Sequence, residues 1–124
     1  MIPVRQTKLI VNTKHIEHNI RELQNFVGPG VKIIPVIKAR GYGTGIGTRA
    51  DVFKRLNIDF LSVAVIDEGT ALRKRGYINE ILVLNQPFEK EIEKAVQYNL
   101  ILGVCVPDFI RALNQVAYEK RKNC

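Results

Sequence analysis

Short apolar runs recur along this chain at intervals of about twenty residues, with helical periodicity between them. The runs are Ile33-Ile34-Pro35-Val36-Ile37, Phe60 to Ile66, Ile81 to Leu84 and Leu100 to Val106. Each is continuous rather than alternating in hydrophobicity, as a parallel strand covered on both faces requires. A helix precedes them, with Thr13 as its expected N-cap, Ile16, Ile20, Leu23 and Val27 at helical spacing, and Gly28-Pro29-Gly30 as its stop. Later helices carry Ala50, Phe53 and Leu56, then Ala71 and Leu72 after a capping Asp67 and before Gly76. Ile92, Ala95 and Val96 follow between Pro87 and Asn99, then Ile110, Leu113 and Val116 or Ala117 after Pro107. The pattern predicts an α/β fold of parallel βα repeats: an N-terminal helix followed by four strand-helix units. Pro35 is awkward, because proline removes a ladder hydrogen bond and prefers an edge. Two architectures fit. One is an open doubly wound sheet; the other is half of a (β/α)₈ barrel, whose whole needs about 250 residues.

Composition narrows the setting. The 124 residues are 46% hydrophobic and 25% charged, with no linker or low-complexity stretch, so residues 1–124 read as a single region. No window nears the roughly 18 unbroken apolar residues of a membrane helix, and the N-terminus lacks a signal-peptide pattern. Two cysteines, Cys105 and Cys124, make no disulfide framework, which suits a cytoplasmic protein. The net charge of +7 is spread along the chain apart from the 119–122 cluster. With no recognition helix, aromatic platform or zinc spacing, nucleic acid is not an expected partner; an anionic ligand suits the charge. His15 and His18 stand three apart on the first helix, but no further ligand joins them, so no metal site is expected.

The segment richest in chemistry is Val36-Ile37-Lys38-Ala39-Arg40-Gly41-Tyr42-Gly43-Thr44-Gly45. Parallel α/β folds place their ligands at the carboxyl ends of strands, and Lys38 ends the first run. Partial desolvation there favours an amine as nucleophile toward a carbonyl. The alternative is a lysine snorkelling outward to a carboxylate. The glycines suit a phosphate cradle, yet they match neither a dinucleotide fingerprint nor a P-loop, and a flexible loop is the plainer account.

Lys38-Ala39-Arg40-Gly41-Tyr42-Gly43-Thr44-Gly45 resembles the cofactor-lysine motif of the alanine racemase family, K-A-(D/N)-A-Y-G-H-G. His18-Asn19-Ile20 looks like that family's N-terminal helix. Ser62 to Arg73 resembles its V-A-x-x-x-E-(A/G)-x-x-L-R segment, and Ile81-Leu82-Val83-Leu84 its next strand. The resemblance spans nearly the whole chain in order. It implies an isomerase: a pyridoxal 5'-phosphate-dependent racemase interconverting L- and D-alanine or a similar small amino acid. Lys38 would hold the cofactor and act as base on one face of the substrate α-carbon. Tyr42 would donate its hydroxyl to the phosphate, with Val36 and Leu84 near the ring. Arg40, Gly41 and Thr44 depart from the motif, which bears on substrate more than on cofactor.

The resemblance further implies that this region is the N-terminal half of a cofactor-binding barrel. The family's second barrel half and β domain, which supply the opposing tyrosine and a pyridine-facing arginine, have no counterpart in it. Poor activity alone and a homodimeric or other self-associated state are expected, since unpaired strand edges invite a second copy. The competing reading is a non-catalytic open α/β module that binds a phosphate-bearing or other anionic ligand.

Overall fold

The computed structural model describes residues 7–121. In chain order its elements are α1 (Thr13–Val27), the single turn α2 (Ala39–Tyr42), α3 (Ile46–Arg55), β1 (Phe60–Val63), α4 (Ile66–Lys74) and β2 (Glu80–Val83). A 3₁₀ turn (Glu89–Glu91) then leads into α5 (Ile92–Gln97), followed by β3 (Ile101–Leu102) and α6 (Pro107–Glu119). The three strands are parallel in the order β1-β2-β3, with Leu61 opposite Ile81 and Val63 opposite Val83, which faces Leu102 in turn.

The expected first strand survives as one parallel bridge, Val36 to Ser62. Ile37 N–H donates to the Ser62 carbonyl and Ser62 N–H to the Pro35 carbonyl, both at 2.9 Å. In this ladder the next rung toward the N-terminus would need Pro35 to donate to the Phe60 carbonyl. Proline has no N–H, so the pairing stops there. The run is thus an edge segment, and the four expected strands are three plus a bridge.

The order of the sheet follows the order of the chain: 33–37, β1, β2, β3. A doubly wound sheet reverses direction at a switch point and carries helices on both faces. Here every helix that reaches the sheet packs on one face. Ile37, Leu61, Val63, Ile81 and Val83 share a single core with Ile20 of α1, Val52 and Phe53 of α3, Leu72 of α4 and Ala95 of α5. Sheet order and one-sided helices make this an arc of a barrel wall, with a second cluster of Ile92, Val96, Phe109 and Ala117 joining α5 to α6. The other face of the sheet carries Val36, Ser62, Leu82 and Ile101; among the described residues none of its side chains belongs to that helix-packed core, though Ser62 is buried, and it is called the open face below.

Strand ends are set by side chains. β1 stops at Val63, short of the expected Ile66, because Glu68 takes the Ala64 N–H at 2.9 Å. β3 stops at Leu102, short of Val106, because the Gln86 side-chain oxygen accepts from the N–H groups of Cys105 and Val106. Helix caps shift by a residue or two. Asn12, not Thr13, caps α1 by accepting the Lys14 N–H at 3.0 Å. Asp67 lies in the first turn of α4 and pairs with Lys94 instead of capping. On α6 the inward residues are Phe109 and Ala117, with Leu113 and Val116 partly buried, whereas Ile110 is exposed. Among the described residues no helix is long and apolar enough to cross a membrane. Lys122 and Cys124 lie outside the described residues.

Candidate functional site

Lys38 closes the extended run with φ −75° and ψ 173°. Side chains alternate along an extended segment, so Lys38 shares the open face with Val36, at the carboxyl rim of the sheet. It is exposed, and none of the ion pairs among the described residues includes it. Among the described residues, then, Lys38 is not paired with a carboxylate as a snorkelling lysine would be. The desolvation expected at this position is not supplied by the described residues.

The chain then turns in an uncommon way. Ala39, Arg40, Gly41 and Tyr42 all have positive φ, from 51° to 67°, so α2 is a left-handed turn, and Gly43 continues it at 80°. Such a conformation costs about 1–2 kcal/mol for each non-glycine residue, and three of these four carry a Cβ. Several hydrogen bonds hold it. Tyr42 N–H donates to the Lys38 carbonyl at 3.1 Å, Gly43 N–H to Ala39 at 3.2 Å and Gly45 N–H to Arg40 at 2.9 Å. Glu68 accepts the Ala39 N–H at 2.6 Å with one carboxylate oxygen while the other takes Ala64. On the far side, the Thr44 hydroxyl donates to the Gly41 carbonyl and accepts from Arg49 Nε at 2.7 Å. The Arg49 guanidinium also lies over the Tyr42 ring, 5.9 Å from its centroid.

Gly41 is buried beneath this side chain: a Cβ there would meet Arg49 Cδ at 3.2 Å and Ile46 N at 3.4 Å. Gly41, Thr44 and Arg49 thus form one packed unit, which accounts for two of the three motif departures. Arg40 is exposed and nothing in the structure explains it.

Tyr42 is 56% exposed and follows Lys38 by one left-handed turn on the same rim. Val36 is partly buried on the open face, and Leu84, just past β2 on the same rim, is 45% exposed. The other tyrosines stand elsewhere. Tyr77 is buried ahead of β2 with its hydroxyl on the Ile58 carbonyl at 2.9 Å, and Tyr98 ends α5 ahead of β3, both at the amino rim. Tyr118 is an exposed residue of α6. His15 and His18 are exposed, and among the described residues no group of His, Cys, Asp or Glu has a metal-holding arrangement.

The family model described as "Alanine racemase, N-terminal domain" matches residues 11–124. The chain belongs to that family. Alanine racemase relatives align along most of it: a serine/alanine racemase of Enterococcus gallinarum is 34% identical over 113 residues, which is 91% of this chain and 16% of that protein. Alanine racemase 2 of Caldanaerobacter subterraneus is 30% identical over 119 residues, or 96% of this chain and 31% of that protein. Among solved structures, the alanine racemase of Clostridium difficile 630 superposes with a TM-score of 0.86 at 25% identity, covering 90% of this chain and 31% of that one. The same enzyme in complex with cycloserine gives the same score. The chain thus spans between about a sixth and a third of these proteins' length. Its strands alternating with helices match the corresponding part of the alanine racemase barrel.

Two side chains that matter here escape a reading of the sequence by itself. Glu68 reads as a helix-start carboxylate, although its place in the racemase-like V-A-x-x-x-E segment and its spacing of four from Ala64 are signals. Arg49 has no signal: it lies on a helix that the sequence reads only by its apolar side.

Proposed function

We propose that this chain is the cofactor-lysine portion of an amino-acid racemase acting on alanine or a similar small amino acid, with Lys38 holding pyridoxal phosphate. The observation that carries the reading is the place of Lys38: the last extended residue of its run, on the open face, at the carboxyl rim, free of any ion pair among the described residues. The alanine racemase family uses pyridoxal phosphate.

The donor set suits that group. An amine is present for an aldehyde, the Tyr42 hydroxyl for a phosphate, and the apolar side chains of Val36 and Leu84 for a ring. Pyridoxal phosphate, when bound, supplies an electron sink for the substrate α-carbon. Lys38 then holds or moves a proton at its Nζ, on the face of the α-carbon that it addresses. Arg49 orients Tyr42, and Val36 and Leu84 keep water from one side of the site.

Proton exchange on the opposite face is assigned to a group outside these 124 residues, since Tyr77, Tyr98 and Tyr118 stand away from this rim. The 124 residues alone are accordingly expected to bind cofactor and to turn over poorly. A cytoplasmic, self-associating protein completes the reading. Residues 1–124 are proposed to form one incomplete barrel unit.

The experiment is a spectral titration with pyridoxal phosphate. A new absorption band is expected in the native chain and not in Lys38→Ala. An identical band in both, or none in either, would favour the non-catalytic anion-binding module.

A further inference from the structure

Glu68 stands where the parallel ladder between the 33–37 run and β1 ought to continue. The bridge from Val36 to Ser62 uses the Ser62 N–H to Pro35 and the Ile37 N–H to Ser62. In a parallel pair the pattern repeats every two residues. The following bridge would join Lys38 to Ala64, with the Ala64 N–H donating to the Ile37 carbonyl and the Ala39 N–H donating to the Ala64 carbonyl. Those two N–H groups are the ones Glu68 takes: Ala39 at 2.6 Å on one oxygen and Ala64 at 2.9 Å on the other. The Ala64 carbonyl, released from that role, accepts from Asn85 N–H at 3.4 Å.

We propose that Glu68 is a positioning residue: its carboxylate wedges between the two strand ends, replaces the Lys38–Ala64 bridge, and thereby makes Lys38 the last residue of its strand. Two charge-assisted hydrogen bonds to backbone N–H groups are stronger than the neutral rungs they displace. The wedge acts on the peptide between Lys38 and Ala39, the bond from which the left-handed turn departs. Without it the ladder has a donor and an acceptor ready at each position, and the chain beyond Lys38 would run on along β1 rather than turn back over the rim with Tyr42. The wedge thus sets where the amine stands. The link to cofactor rests on the reading of Lys38 given above; the wedge itself does not.

The test has two arms. In ¹⁵N,¹³C-labelled native protein, scalar couplings across hydrogen bonds are expected from the Glu68 carboxylate carbon to the amide nitrogens of Ala39 and Ala64. Couplings from Ala64 N to the Ile37 carbonyl and from Ala39 N to the Ala64 carbonyl would overturn the wedge. In the second arm Glu68→Gln, which keeps one acceptor oxygen and puts an amide donor where the other stood, is incubated with pyridoxal phosphate, trapped with borohydride and mapped by mass. Selective labelling of Lys38 is expected to fall about tenfold, the worth of one charge-assisted hydrogen bond, while the variant still unfolds in one cooperative transition shifted down by only several degrees. Undiminished selective labelling would overturn the positioning role. If Lys38 of the native chain is not labelled selectively, the cofactor reading fails while the couplings still decide the wedge.

Discussion

The guanidinium of Arg49 lies over the ring of Tyr42, 5.9 Å from its centroid, while its Nε donates to Thr44 within the same turn. A residue of α3 thereby fixes the loop that follows the candidate cofactor lysine. Replacing Arg49 by Met removes both contacts and keeps the stem. An exposed cation–π contact and a hydrogen bond together contribute about 1–2 kcal/mol. Denaturant unfolding of Arg49→Met is expected to show a loss of that size, and an unchanged midpoint would contradict the packed unit.

Gly41 gives a second handle on that unit. Its φ of 67° penalises any Cβ, and the Cβ would press on Arg49 at 3.2 Å. Gly41→Ala is expected to destabilise by about 1–2 kcal/mol from the backbone term alone. Adding Arg49→Ala relieves the contact but not the φ penalty, so a double-mutant cycle should be non-additive. Strict additivity would show that the two residues do not touch.

At the opposite rim Arg73 ties the loops entering β2 and β3. Its guanidinium donates to the carbonyls of Tyr77 and Asn79 at 2.7 Å, and of Tyr98 and Asn99 at 3.0 Å. Partial burial holds its pKa below the usual arginine value. Arg73→Met leaves four carbonyls without this donor and is expected to cost about 3 kcal/mol or more. Arg73→Lys should recover only part, because an ammonium lacks the planar fork. Equal stability of the lysine variant and the native chain would contradict this account.

Tyr77 makes the fold sensitive to alkali. Burial raises its pKa from 10.0 to about 12, with its hydroxyl on the Ile58 carbonyl. A pKa raised by folding gives stability that is complete below pH 10.0 and is lost as pH climbs toward about 12. The loss over that window is on the order of 2–3 kcal/mol. Melting curves from pH 9 to 12 should show it, and Tyr77→Phe should flatten that part of the profile. Asn79 also donates to the Ile58 carbonyl, at 3.0 Å, so the variant leaves no orphaned acceptor. A profile equally steep in Tyr77→Phe would assign the loss to other groups.

Much of this was legible in the residues. The apolar runs mark the core strands: Leu61, Val63, Ile81 and Val83 are all fully buried. Gly76 and Asn99 sit at left-handed positions just past the helices they were expected to end. The choice between an open sheet and a barrel arc was not legible, because hydrophobic period does not encode strand order. Strand ends were overestimated for a related reason. Glu68 and Gln86 intercept backbone N–H groups from a distance in sequence, and a reading along one run does not see them. The left-handed turn was foreshadowed only by Gly41 and Gly43; Ala39, Arg40 and Tyr42 adopt it against their own preference. Lys38 and Tyr42 were legible by resemblance, and the fold brings both to one rim.

Cofactor attachment depends on the Lys38 amine, and peptide mapping reads that amine against every other lysine of the chain. The native chain is incubated with limiting pyridoxal phosphate, reduced with borohydride, digested and sequenced by mass spectrometry. The pyridoxyl adduct is expected on the peptide containing Lys38, ahead of every other lysine. Label spread evenly over surface lysines, with Lys38 no more modified than Lys54 or Lys74, would contradict the account.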